Sequence, residues 1–183
     1  MAIALLAGTV LALAGFLVTS VQGFIVASHL LQATPAAKLL VTKHVAFAIP
    51  TMLLSLFSQS MVIFFFIGTG RLVKDEIAGY PEADRRAVLA VLRDLKRRTS
   101  PPATFALLCA ITVFVLGAAA HTKALPSWVH LAAALAAVAT HFWALGAEWT
   151  AFIENGRLMA DPAAFVRTGP VAVPRPEPAR TRS

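Results

Sequence analysis

Four of the five histidines in this 183-residue sequence lie where long apolar segments end or begin. His29 closes the first segment and His44 opens the second, while His121 closes the third and His130 opens the fourth. If the segments are helices that run up and down, all four histidines lie at one end of the bundle. Imidazole is an axial ligand of haem iron and a ligand of copper and zinc. The pattern therefore predicts a cofactor or metal site at that end.

A second polar group lies deeper in the fourth segment. His141, Glu148 and Asn155 follow His130 at spacings that place all four residues on one helix face. Glu148 is a carboxylate well inside an apolar segment, and ionisable groups there are functional-site candidates by default. We expect His141 and Glu148 to form a proton route or a quinone site. The alternative is that Glu148 only bonds His141, or Ser and Gln side chains of the second helix, and holds the bundle in register.

The elements that must position these residues are repeated in the sequence. A shift of 86 residues superimposes His44 on His130, and the pattern F-I-x-x-G-R-L-x-x-D then recurs at residues 66–75 and 152–161. Internal similarity at a fixed shift indicates a duplicated unit. Arg71 and Arg157 in this motif are predicted to anchor each long helix by reaching lipid phosphates.

The composition predicts a membrane protein. The chain is 58% hydrophobic and 14% charged, against about 25% charged residues in soluble domains. Its net charge of +7 would favour nucleic acid in a soluble protein, but here the basic residues flank apolar segments, so no nucleic-acid partner is expected. Cys109 is the only cysteine, which excludes an internal disulfide and a thiolate metal site.

These patterns predict an all-α integral membrane protein, a four-transmembrane-helix up-down bundle built from two tandem helical-hairpin repeats. The expected organisation is a first hairpin over residues 1–75, a basic amphipathic helix and linker over 76–102, a second hairpin over 103–161 and a disordered tail over 162–183. The amphipathic helix is expected to lie on an anionic membrane surface and to be broken by Ser100-Pro101-Pro102.

Charge predicts the topology. Arg and Lys concentrate in the segment after the second helix and in the tail, while the two short turns carry only Lys38, Lys43 and Lys123. The positive-inside rule then places both termini in the cytoplasm, as expected for a prokaryotic cytoplasmic membrane. The histidine end becomes extracytoplasmic.

The first helix carries Gly8, Gly15, Gln22 and His29 on one face. Glycines on a face allow either tight helix packing or a flat ligand lying over them. Both interpretations remain open from the sequence.

The functional prediction is a small membrane redox subunit that exchanges electrons with the quinone pool. It would bind b-type haem through His44 and His130, which face each other across the bundle, with His29 and His121 as a second pair and the three lysines near the propionates. One alternative is a cofactor-free anchor or assembly subunit within a larger complex or a homo-oligomer. Another is a copper or zinc handling protein that uses the same four histidines. The sequence does not decide whether the protein is an enzyme.

Overall fold

The computed structural model describes residues 1–29 and 34–168, and this part of the chain is helical with no strand. Four long helices are present: α1 (Ala2–His29), α2 (Pro35–Glu76), α3 (Glu82–His121) and α4 (Ser127–Ala160). A single 3₁₀ turn, Ile77–Gly79, links α2 to α3, and a short helix α5 (Pro162–Thr168) follows α4. The all-α, four-helix prediction is confirmed.

The four long helices form a ring in which sequence neighbours are spatial neighbours. α1 packs on α2 and α4, and α3 packs on the same two helices from the other side. α2 and α4 lie on a diagonal and meet only along the centre of the bundle. The central residues of α2 and α4 therefore face each other.

Local signals fix where α2 begins. Thr34 has extended backbone angles, and its hydroxyl accepts a hydrogen bond from Ala37 N at 3.2 Å. Pro35 follows in the first turn, where its missing N–H has no partner to lose. Both residues are local signals that favour a helix start at this point.

All four long helices are long and apolar enough to cross a membrane. Large apolar side chains cover the outside of the bundle, among them Phe24, Phe57, Phe64, Phe105 and Trp143, each more than half exposed. α2 has 42 residues, which corresponds to about 63 Å, roughly twice the thickness of a bilayer core. Its end beyond Gly70 is charged, with Arg71, Lys74, Asp75 and Glu76.

Small residues bring α1 close to α2. A Cβ on Gly8 would lie 3.1 Å from Ser58 Cβ, and one on Gly15 would lie 2.6 Å from Thr51 Cγ2. The glycine face of α1 thus serves tight helix packing at Gly8 and Gly15. Of the two interpretations of this face, the one with a flat ligand over these two glycines is wrong.

The helix that begins at Glu82 does not end at Ser100-Pro101-Pro102, as predicted, but continues as α3 to His121. Its apolar stripe does not face a membrane surface either. Val88 and Leu95 are buried in one cluster with Val73, Ile77, Leu158 and Phe165. Packing on both sides of the prolines holds the helix together, because Leu95 before them and Ala103 after them are fully buried.

The segment expected to be a disordered tail contains helix α5 at its start. The Asp161 carboxylate accepts a hydrogen bond from Ala164 N at 2.8 Å and caps this helix. Phe165 is buried in the cluster that surrounds Val88 and Leu158. These contacts order residues 162–168, and the rest of the predicted tail lies outside the described residues.

Candidate functional site: a histidine pair beside an apolar cavity

His44 of α2 and His130 of α4 lie opposite each other across the bundle. Their ring centroids are 6.3 Å apart and the rings are nearly perpendicular, at 77°. Nδ1 of each ring is buried and has no hydrogen-bond partner among the described residues, and the His130 ring also approaches the backbone carbonyl of Val113 on α3. A buried polar nitrogen without a partner is costly, so both rings are suited to receive a ligand.

A glycine lies behind each ring. A Cβ on Gly23 of α1 would lie 3.4 Å from His44 Cε1, and one on Gly117 of α3 would lie 3.0 Å from His130 Cε1. Each imidazole therefore lies against the backbone of the neighbouring helix, and a Cβ on Gly117 would crowd His130, whereas one on Gly23 would be in ordinary contact with His44. The same arrangement occurs on both sides of the bundle.

The histidine pair lines a cavity of about 760 Å³. This volume lies within the range of about 300–1,000 Å³ that is usual for ligand sites in proteins. The walls are mostly apolar and come from all four long helices and from the turn between α3 and α4. Ser20 lines the cavity as well, and its buried Oγ has no partner among the described residues.

Two of the other predicted residues lie at the mouth of the cavity. His121 and Lys123 both line it and are exposed. Lys123 adopts a left-handed conformation, with φ 60°, where α3 ends. Lys38 and Lys43 are not part of the cavity wall. His29 is the last residue of α1, and its side chain is outside the described part of the structure.

His44 and His130 are the residues that could hold a haem. Their ring centroids lie 6.3 Å apart in the wall of a mostly apolar cavity, and imidazole is a ligand of haem iron. His121 and Lys123 at the mouth are placed to contact anionic groups.

A copper or zinc site fits less well. In residues 1–29 and 34–168, no three His, Cys, Asp or Glu side chains come together to hold a metal ion. A zinc site usually has four protein ligands, or three when it is catalytic. Of the four predicted histidines, His44 and His130 are brought together and His121 lines the same cavity, while the side chain of His29 lies outside the described part of the structure.

The polar face predicted on α4 is buried in the centre of the bundle. His141 Nε2 lies 2.7 Å from Ser55 Oγ, and its Nδ1 lies 2.7 Å from the Ala137 carbonyl oxygen. The Thr69 hydroxyl donates to Asn155 Oδ1 at 3.3 Å. These contacts join α4 to α2 below the cavity.

Glu148 has two hydrogen-bond donors, the expected glutamine of α2, Gln59, and Thr9 of α1, which was not expected. Its Oε2 accepts a hydrogen bond from the Thr9 hydroxyl of α1 at 2.8 Å, and Gln59 Nε2 lies 3.4 Å from that same hydroxyl. The hydroxyl of Ser55 bonds His141 instead of Glu148. Neither His141 nor Glu148 lines the cavity, because Phe16 lies between, with its ring centroid 4.6 Å from that of His141.

Sequence reasoning missed Thr9, Phe16 and the two glycines behind the histidines. Thr9 is a single hydroxyl residue within an apolar stretch, and its role depends on the rotation of α1 against α4, which periodicity does not fix. Gly23 lies one residue outside the heptad spacing of Gly8, Gly15 and Gln22, so that spacing does not indicate its role.

Several of the central contacts join residues that are 86 positions apart. His44 faces His130, Ser55 bonds His141, Phe66 stacks on Phe152, and Thr69 bonds Asn155. Each pair consists of corresponding residues under the shift found in the sequence. α2 and α4 thus present equivalent positions to each other along the whole bundle.

No family model matches the chain, and neither a curated protein nor a solved structure matches it. The functional proposal therefore rests on the geometry described above.

Proposed function

We propose that the protein is a small membrane redox subunit that binds one b-type haem between His44 and His130. The observation that carries the proposal is the opposed pair of imidazoles, 6.3 Å apart, in the wall of a mostly apolar cavity of about 760 Å³. A four-helix bundle builds such sites from side chains on facing helices. Bound haem would accept and release one electron at a time, and the quinone pool is the proposed electron partner.

The chain's own residues account for how such a group would be held. His44 and His130 would bind from opposite sides, and Gly23 and Gly117 would set the depth of each ring. Apolar residues such as Phe16, Met52 and Phe114 would exclude water from the macrocycle. His121 and Lys123 at the mouth would contact the propionates.

The proposal includes a membrane position and an ancient hairpin duplication. The basic residues beyond Gly70 lie at one end of the bundle and favour cytoplasmic termini by the positive-inside rule, which places the cavity at the extracytoplasmic side of a prokaryotic cytoplasmic membrane. Contacts between residues 86 apart are what two hairpins related by a twofold axis would produce.

The test is an absorption spectrum of the detergent-purified protein, oxidised and then reduced with dithionite. We expect a Soret band and sharp reduced α and β bands. His44→Ala and His130→Ala should each remove the six-coordinate spectrum. Trp128→Ala, which changes an exposed side chain two residues before His130 and outside the cavity wall, should keep the α band and serves as the matched control.

A colourless protein from cells well supplied with haem, still colourless after addition of hemin, would contradict the proposal. The buried hydrogen bonds of Ser55, Thr9 and Asn155 would then support the alternative of a cofactor-free anchor or assembly subunit. Metal analysis of the same sample would test for copper or zinc.

A further inference from the structure

Within residues 1–29 and 34–168, no lysine or arginine of the membrane-length apolar segments lies near Glu148 in sequence to supply a counter-charge. α1 has no acidic, lysine or arginine residue along its length, and α2 has none between His44 and Arg71. α3 has none between Arg98 and His121. On α4 itself the nearest ionisable residues are His141, seven positions earlier, and Glu154, which is bonded to Arg98.

The carboxyl group is fully buried, and its hydrogen bonding is incomplete. The Glu148 side chain has no exposed surface; Thr9 donates to its Oε2, and the amide of Gln59 also faces the carboxyl group as a donor. Oε1 of Glu148 and Oε1 of Gln59 are both buried without a partner among the described residues. Gln59 is fully buried as well, and its Nε2 lies 3.4 Å from the Thr9 hydroxyl. Two oxygen atoms without a hydrogen-bond donor, Glu148 Oε1 and Gln59 Oε1, thus belong to the two side chains on either side of the Thr9 hydroxyl.

The sequence similarity at a shift of 86 residues supplies a second residue with which Glu148 can be compared. The residue that corresponds to Glu148 in the first hairpin is Val62, which is also fully buried. A valine at this depth satisfies the packing of the bundle, so the scaffold does not require an acid here. The acid, the amide and the hydroxyl come from α4, α2 and α1, which converge at this level.

We propose that Glu148, Gln59 and Thr9 form an internal binding site for one small monovalent cation, a proton or Na⁺. An ionised carboxylate without a counter-charge costs several kcal/mol in the interior of a protein. A bound cation removes that cost and satisfies oxygen acceptors that have no donor. Oxygen atoms are the ligands that hard cations prefer. The site differs from a proton route or a quinone site, because it holds its cation below Phe16, away from the cavity, and needs no haem.

The experiment uses the full-length protein and dicyclohexylcarbodiimide, which forms a stable N-acylurea with neutral carboxyl groups in apolar surroundings. We expect Glu148 to be labelled, as located by peptide mass spectrometry, and the labelling to fall as the pH rises. Glu148→Gln should lose the label. Glu154→Gln is the matched control on the same helix and should keep it.

Added salts separate the two cations. Protection from labelling by NaCl, but not by KCl at the same ionic strength, would show that Na⁺ competes for the carboxylate. Equal labelling in both salts would show a proton site. Thr9→Val removes the donor that stabilises the ionised form, so a proton site should stay labelled to a higher pH, whereas a Na⁺ site should lose protection.

A measurement on the wild-type protein guards against poor folding of the variants. Infrared spectra across the pH range should contain a neutral carboxyl band that disappears on titration or on addition of Na⁺. If Glu148 is unlabelled at every pH and no such band is present in either salt, the site binds no cation and the inference is wrong. This result would leave the haem proposal untouched, since the absorption spectrum tests that separately.

Discussion

At the scale of single residues, the glycines of this chain fall into two groups. Gly8, Gly15, Gly23 and Gly117 each lie against a side chain of a neighbouring helix, whereas Gly68, Gly146 and Gly156 have open space where a Cβ would be. The first group sets distances between helices. The second group is free to accept a side chain.

Gly15→Ala should therefore destabilise the protein. The new Cβ would lie 2.6 Å from Thr51 Cγ2 and 2.7 Å from its Oγ1, so α1 and α2 must move apart at a cost of about 1–3 kcal/mol. Gly146→Ala is the control, and its higher helix propensity should leave stability unchanged or raise it by up to about 1 kcal/mol. Thermal unfolding in detergent, followed by circular dichroism, measures both. Equal melting temperatures for the two variants would contradict the close α1–α2 packing.

The hydrogen bond between Ser55 and His141 provides a second prediction at this scale. Ser55→Ala leaves the buried Nε2 of His141 without its partner, which should cost about 1–3 kcal/mol. Ser58→Ala removes a hydroxyl that bonds only the Ser55 carbonyl of its own helix, and should change stability by about 0.5 kcal/mol or less. Denaturant titration compares them. A Ser55→Ala variant as stable as the wild type would show that this bond contributes nothing.

At the scale of elements, the sequence predicts helix starts better than helix continuity. Thr34 and Pro35 are local signals, and α2 begins where they place it. Pro101 and Pro102 are also local signals, but there the tertiary contacts prevail, because Val88 and Leu95 pack into a cluster that includes residues from α2, α4 and α5. No local pattern reveals those partners.

Pro101→Ala should stabilise α3. Proline lacks the N–H that would bond the carbonyl oxygen of Arg97, and a helix-interior proline costs about 3 kcal/mol relative to alanine. Because Pro101 is exposed, alanine leaves no buried cavity, so we expect a gain of about 1–3 kcal/mol in the free energy of unfolding. Pro35→Ala, in the first turn of α2, is the control and should give no gain. Thermal unfolding of both variants measures these changes. A lower melting temperature for Pro101→Ala would mean that the proline itself is needed for the packing of α3.

At the scale of the whole molecule, the sequence similarity at a shift of 86 residues explains how much of the site could be predicted. The shift of 86 residues places His44 and His130 at one depth on diagonal helices, and the structure brings them together. The glycines behind the rings and the contact of Thr9 with Glu148 involve α1 and α3. Their rotation relative to α2 and α4 depends on packing along the entire helix, which the periodicity of one segment does not contain.

The ends of the bundle also differ in charge, and this difference predicts its orientation. Arg71, Lys74, Arg85, Arg93 and Arg97 are exposed at one end, while the histidine end has three exposed lysines, Lys38, Lys43 and Lys123. Positive charge favours the cytoplasmic side, so the cavity should open to the outside. Cysteine labelling tests this in a Cys109→Ser background, in which the chain has no other thiol.

Thr122→Cys and Gly79→Cys place a single thiol at exposed positions at opposite ends of the bundle. In cells whose outer barrier admits the reagent, a membrane-impermeant maleimide should modify Thr122→Cys while the cells are intact. It should reach Gly79→Cys only after the cytoplasmic membrane is opened. The reverse pattern would place the histidine pair on the cytoplasmic side, where a haem would exchange electrons with soluble donors and the basic end would face outward. Equal labelling of both variants before and after opening would mean that the bundle does not span the membrane. Such a result would be hard to reconcile with its apolar outer surface, on which Phe57 and Phe64 are about two-thirds exposed.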